Sequence, residues 1–225
     1  MSIPAIIYQV ILLLGLLTGV AKYKSLESVG KLIFFFLVYI NIKEAIALLL
    51  AQRTNYNLHF YQIAAPIDFL FLMFIYCNLH ESKRLRWTIV SIALVVITFF
   101  IINLTSLQPL GKTVDTYFKL VRSFFLVLIS LMVFQNILQR RDGLRLKDSS
   151  TFWFNTGVLI FFSTSIFYWG LYNYSLTLKG FAIPGIIRRL YEFSNYCMYL
   201  MFIVALLKSS LPMHGTIRKL HASDR

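Results

Sequence analysis

The sequence predicts an all-α, polytopic membrane protein of seven transmembrane helices, with the N-terminus outside and the C-terminus cytoplasmic. Three observations carry that prediction. Apolar residues make up 58% of the 225-residue chain and charged residues only 14%, against about 25% charged in soluble domains. A soluble core of this size has no way to hide so much apolar surface. The apolar residues run on for roughly 18 positions or more at a time, long enough to cross hydrocarbon about 30 Å thick. Basic residues gather in alternate connections, the pattern that orients membrane helices.

The spans follow in order. Residues 3–20 form an apolar run with no basic segment ahead of it and no small-residue cleavage site, which reads as a retained span and not a signal peptide. Residues 31–51 come next, then 61–79, with Pro66 inside. Residues 87–104 open on Trp87, and 113–138 are the longest span and the least apolar at their start. Residues 151–173 open on Trp153, and 183–207 close the set. Helices are the expected spanning form because lipid offers backbone groups no partners. A β-barrel would show alternating segments of about 10 residues, and these runs do not alternate. Residues 1–208 thus read as one transmembrane domain and 209–225 as a basic cytoplasmic tail.

The connections after spans one, three and five, with the tail, hold Lys22, Lys24, Lys31, Lys83, Arg84, Arg86, Arg140, Arg141, Arg145, Lys147, Lys208, Arg218, Lys219 and Arg225. Those after spans two, four and six hold Arg53, Lys112 and Lys179. Fourteen against three places the first set in the cytoplasm. The same asymmetry accounts for the net charge of +13; no Arg-rich helix or aromatic-basic repeat points to nucleic acid. Trp169, Tyr172 and Tyr174 near the outer boundary suit the interface.

Several chemistries lack their signatures. Two cysteines, Cys77 and Cys197, with no CxxC or Cys/His spacing, predict neither a disulfide framework nor a metal site. His59, His80, His214 and His221 fall in loops or the tail, away from the membrane interior. No HExxH, GxSxG or Walker-type loop occurs, and span seven has no mid-membrane lysine for a Schiff base. No cofactor and no catalytic residue is expected. Asn103-Leu-Thr and Asn173-Tyr-Ser match the glycosylation pattern, one that often arises by chance.

Charges inside spans are costly and mark functional sites by default. Lys43, Glu44, Asp68, Asp115, Lys119, Arg122, Arg188, Arg189 and Glu192 all fall in the outer half of the predicted bundle, five positive and four negative. Asp115, Lys119 and Arg122 share one helix face by their spacing, as do Arg188, Glu192, Asn195 and Tyr199. Ala64 and Ala65 beside Asp68 allow close helix approach. Span six offers Ser163, Thr164, Ser165, Tyr168 and Tyr172. The expectation is an outward-open cavity whose ligand-binding residues are Lys43, Glu44, Asp68, Asp115, Lys119, Arg122, Arg188, Glu192 and Asn195. The opposing expectation is that these charges simply pair within their own helices and fix register. The surplus arginine points to a small anionic or zwitterionic ligand, since a guanidinium grips carboxylate or phosphate through two bonds.

The stretches FWFNTGVLIFFSTSIFYWGLYNY and LYEFSNYCMYLMFIVALLK resemble the sixth and seventh spans of small seven-span membrane proteins of Bacteroidetes-type bacteria. These relatives are mostly uncharacterised, and some are encoded near sensor kinases. The resemblance covers the last third of the chain. It implies seven spans and a bacterial inner (plasma) membrane, and transfers no functional residue.

The functional expectation is a non-enzymatic membrane sensor or signalling component. Its outer pocket binds a ligand, and its basic face, chiefly residues 139–150 and the tail, meets anionic lipid or a cytoplasmic signalling partner. A transporter for a small organic ion is the first alternative. Polar residues are sparse in the inner half, with Asn41, Asn136 and Asn155 the exceptions, which weighs against it. A lipid-modifying membrane enzyme using a carboxylate pair such as Asp68 with Glu192 is the second.

Overall fold

The computed structural model describes residues 3–54, 57–79, 82–111, 114–139, 146–177 and 185–209. Seven helices are long and apolar enough to cross a membrane, and among the described residues there is no strand. They are α1 (Ile3–Lys22), α2 (Ser28–Thr54), α3 (Leu58–Leu79), α4 (Lys83–Ile102), α5 (Thr116–Gln139), α6 (Ser150–Thr177) and α7 (Gly185–Lys208). The chain is a multi-pass α-helical membrane protein. Most helices overrun the apolar spans by a few residues at one end or both, because backbone hydrogen bonding continues into the interface where side chains turn polar. Half of residues 139–150 that were expected to face a partner, nearly all of the tail, and the starts of spans five and seven lie outside the described residues.

The helices pack in chain order into a closed ring, α7 returning to α1. Two further contacts, α2 with α7 and α3 with α5, pass behind α1 and α4 respectively. The core is therefore built by α2, α3, α5, α6 and α7, while α1 and α4 lie in outer grooves and are the least buried spans. Large apolar side chains such as Leu17, Leu94 and Phe167 ring the exterior, where lipid replaces water. Inside, Phe36, Phe69, Phe154 and Phe202 are fully buried. Gly19 lets α1 seat against α2: a Cβ there would lie 2.1 Å from the Phe34 ring.

Contacts tie the helix ends into two opposite faces. Lys22 at the end of α1 donates to the Leu207 carbonyl at the end of α7 (2.8 Å), and Lys208 pairs with Asp148 just before α6 (2.9 Å). Every described basic residue assigned to the cytoplasm from sequence clusters at this end of the helices or in the first turns beyond it. At the opposite end, the segment joining α4 to α5 folds over α3. Gly111, in the left-handed region at φ 73°, donates its N–H to Gln62 (2.8 Å). Gln108 holds the start of α5 through Thr116 (2.7 Å) and the Tyr117 N–H (3.0 Å). Thr116 in turn donates to Asn173 on α6. Asn103, half of a glycosylation match, is fully buried in the π-helical turn Asn103–Leu107 and has no access for a sugar.

A separate polar knot binds α3, α5 and α6 nearer the basic end. Tyr76 Oη (2.9 Å) and Ser130 Oγ (2.8 Å) both donate to Asn155 Oδ1, and Asn155 Nδ2 donates to the Ser130 carbonyl (2.9 Å). All three residues are fully buried. Asn155, a polar residue in the sequence's inner half, is thus saturated by neighbours.

Candidate functional site

A cavity of about 360 Å³ opens between α1, α2, α3, α5, α6 and α7. It reaches from the half of the bundle away from the basic end to just past the middle of the helices, at Phe36 and Leu72. At about 1.5 Å per residue, Lys43 sits some 16 Å below the Thr54 end of α2, Asp68 about 15 Å below Leu58, and Arg122 about 9 Å below Thr116.

Lys43 and Glu44 are successive residues on α2, and both turn inward. Lys43 Nζ lies 2.9 Å from Asp68 Oδ2 and 3.9 Å from Glu44 Oε1, bridging α2 and α3. Glu44 also accepts from Tyr61 Oη (2.8 Å) and, more weakly, from Tyr8 Oη (3.4 Å). Asp68 has less support: its Oδ1 is buried without a hydrogen-bond partner. Pro66, two residues earlier, has no N–H to give the Gln62 carbonyl. The small residues Ala64 and Ala65 leave their backbone open, and Arg122 uses this opening.

Arg122 reaches from α5 and donates Nη1 to the Ala65 carbonyl (3.1 Å). Its Nε is buried with no partner, and no carboxylate of the described residues pairs with it. The guanidinium sits between the Phe118 and Phe162 rings, 5.8 and 6.0 Å from their centroids. A buried charge usually finds a counter-charge, because desolvation is expensive. Here the group faces the cavity with most of its five donors free.

Lys119, one turn earlier, is ion-paired, although neither oxygen of its partner Asp115 receives a hydrogen bond of good geometry. Asp115, just before the first turn of α5, offers Oδ1 at 2.9 Å, and the Trp169 ring lies 4.2 Å from the ammonium. The Asp115 backbone carbonyl accepts the Lys119 N–H (3.1 Å), the position of a helix N-cap, where a carboxylate also suits the dipole. Asp115 is fully buried and lies behind Lys119, outside the cavity lining.

The structure brings together Lys43, Glu44, Asp68, Lys119, Arg122 and Asn195 around the cavity. Asn195 makes no hydrogen bond to a described residue and also lines a second opening between α1, α2 and α3, reached past Ala5, Ala51 and Asn57. Arg188 and Glu192 are not brought in. They pair with each other along one face of α7 (3.0 Å), with the Arg188 side chain 72% exposed, and Arg189 is exposed beside them. Asp68 and Glu192 therefore do not meet as a carboxylate pair in this cavity. On α6 the hydroxyls of Thr164 and Ser165 turn back to carbonyls of their own helix (2.9 and 2.8 Å), and Phe161, Phe162 and Trp169 line the cavity instead.

Sequence reasoning placed Tyr199 on the polar stripe of span seven and offered Tyr168 and Tyr172, but passed over Tyr8, Tyr61 and Tyr191. Tyr8, Tyr61, Tyr191 and Tyr199 all line the site, and Tyr191 stacks on Tyr168 with centroids 4.4 Å apart. The available signal was the enrichment itself, 13 tyrosines in a chain this apolar, of which several lie too deep for an interfacial belt. Among the described residues no three His, Cys, Asp or Glu side chains meet closely enough to hold a metal ion.

No family model matches this chain, and no curated protein or solved structure is significantly similar to it.

Proposed function

We propose that this protein is a non-enzymatic membrane receptor whose cavity binds a small charged ligand from the non-cytoplasmic side. The observation that carries the reading is Arg122, a guanidinium held at the cavity wall with no carboxylate partner. Its donors are placed for an incoming anionic group, which would complete a charge-assisted pair inside a low-dielectric site. A cavity of about 360 Å³ falls at the small end of the roughly 300–1,000 Å³ typical of small-molecule sites. Orientation comes from the basic end, which belongs in the cytoplasm of a bacterial inner membrane. The cavity then faces outward, and the basic surface is left for anionic lipid or a cytoplasmic signalling partner.

The transporter reading needs a path through the other half of the bundle. Beyond Phe36 at the cavity wall, Phe154 and Phe202 are fully buried and the Tyr76–Ser130–Asn155 knot ties α3, α5 and α6 together, which favours a receptor.

The test is a thermal-stability screen of the purified full chain in nanodiscs against small carboxylates, phosphates and amino-carboxylates. A true ligand at 100 times its Kd stabilises by about 2.7 kcal/mol, a shift that Arg122→Ala abolishes. If no compound shifts the parent protein, the receptor reading fails.

A further inference from the structure

The sequence count gave the outer layer a positive surplus, but that surplus resides in Arg188 and Arg189, which are exposed on α7. The charges in and immediately behind the cavity are balanced: Lys43, Lys119 and Arg122 against Glu44, Asp68 and Asp115. They are also delivered by different helices, although the Arg122 head group itself rests on α3. On the α2–α3 side, one ammonium is shared by two carboxylates, leaving one negative charge in excess. On the α5 side, Lys119 is cancelled by Asp115, leaving the one positive charge of Arg122. The cavity, taken with the Asp115 carboxylate behind it, carries no net formal charge and holds an unmatched charge of each sign on different helices.

We infer that the ligand is a zwitterion whose ammonium and carboxylate are separated by one or two bonded atoms, of the α-amino acid or betaine class. This rests on the receptor reading above and narrows it. A net anion bound at Arg122 would leave the buried site with an uncompensated negative charge, and a net cation at Asp68 would do the reverse. Either charge is costly at membrane depth. A zwitterion satisfies both walls and keeps the site neutral.

The spacing is set by α3. Arg122 is anchored on the Ala65 carbonyl, and Asp68 follows three residues later on the same helix. Positions three apart on a helix are neighbours, about 5–6 Å between Cβ atoms. The anchor of the positive pole and the residue that carries the negative pole thus lie within one turn of the same helix, which suits a compact zwitterion and not one with its charges at the ends of a long chain. Asp68 Oδ1, buried and without a hydrogen-bond partner, is the acceptor for the ligand ammonium. Tyr8, Tyr61 and Tyr199 near this wall give a cation aromatic faces as well.

The probes are L-alanine, isobutyrate, isopropylamine and 6-aminohexanoate, which share a small aliphatic body and differ in charge and charge separation. Binding to the full chain in nanodiscs is followed by isothermal titration and by tryptophan emission. Trp169 lines the cavity, while Trp87 and Trp153 lie near the basic end. Alanine, or a larger α-amino acid of the same series, is expected to bind at least tenfold more tightly than the three others. Arg122→Gln and Asp68→Asn are each expected to weaken it about tenfold or more. Arg122→Gln should bring the α-amino acid down to the affinity of isopropylamine, and Asp68→Asn to that of isobutyrate. If isobutyrate or isopropylamine binds as tightly as the α-amino acids, the zwitterion inference is overturned and the receptor reading stands. If 6-aminohexanoate binds best, the spacing argument is overturned. If no probe binds at all, both readings fall together.

Discussion

Lys43→Met removes one charge and leaves a side chain of similar length and flexibility. Its consequences can be worked out partner by partner. Asp68 takes a short bond from Lys43 at 2.9 Å and has the Tyr39 hydroxyl beside it, but its Oδ1 receives no hydrogen bond. Glu44 loses only a 3.9 Å contact and keeps its bonds from Tyr61 and Tyr8. Breaking a dry buried ion pair costs about 3–5 kcal/mol. The Asp68 side chain is 21% exposed to the cavity, so hydration recovers part of that, and about 2–3 kcal/mol is expected. Adding Asp68→Asn should return most of the loss, because the orphaned charge is gone. Adding Glu44→Gln should return little, about 1 kcal/mol or less, because Glu44 was never orphaned. The assay is reversible SDS unfolding in mixed micelles, followed by far-UV dichroism. The reasoning is refuted if Lys43→Met unfolds at the parent midpoint, or if Glu44→Gln rescues as well as Asp68→Asn.

Three other outcomes are expected. Asn155→Leu should cost about 1–2 kcal/mol in the same unfolding assay by orphaning the Tyr76 hydroxyl and leaving Ser130 only its 3.2 Å bond to the residue 155 backbone carbonyl. The triple variant Tyr76→Phe, Ser130→Ala, Asn155→Leu should be more stable than the single one, and a less stable triple variant would contradict the knot. Gly111→Ala should lower the thermal midpoint, since φ is 73° and the added Cβ would lie 1.7 Å from His59 Nε2. His59→Ala should relieve the steric part and leave the backbone part, about 1 kcal/mol. For orientation, the two native cysteines are first replaced by serine. In intact cells a membrane-impermeant maleimide should then label Asn57→Cys and spare Lys24→Cys; the reverse pattern would invert the proposed topology.

Parts of the site were readable along single helices. The i, i+4 spacing of Asp115 with Lys119, and of Arg188 with Glu192, predicts pairs that the structure contains at 2.9 and 3.0 Å. Both are local, and a helix fixes such neighbours whatever surrounds it. The same spacing could not show that the first pair faces inward and the second outward. Nor could it show that Lys43 bridges to another helix, or that Arg122 ends on a backbone carbonyl of α3. The hydroxyl run on α6 looked suited to a cavity, yet a serine or threonine hydroxyl can always be satisfied by a carbonyl one turn back, and Thr164 and Ser165 are.

The sequence by itself determined the number of helices, their approximate ends, and the gathering of basic residues at one end. These follow from one-dimensional quantities: hydrocarbon thickness fixes span length, and unsatisfied backbone groups forbid anything but helix across it. The tertiary structure alone decided which side of each helix turns inward. In a soluble helix the polar face announces the answer. In this bundle both the lipid side and the core side are apolar, so the rotation of each helix about its axis is set by packing, such as Gly19 against Phe34. That rotation is what gathers three positive and two negative groups around one cavity with Asp115 behind it, and leaves Arg188 and Arg189 outside.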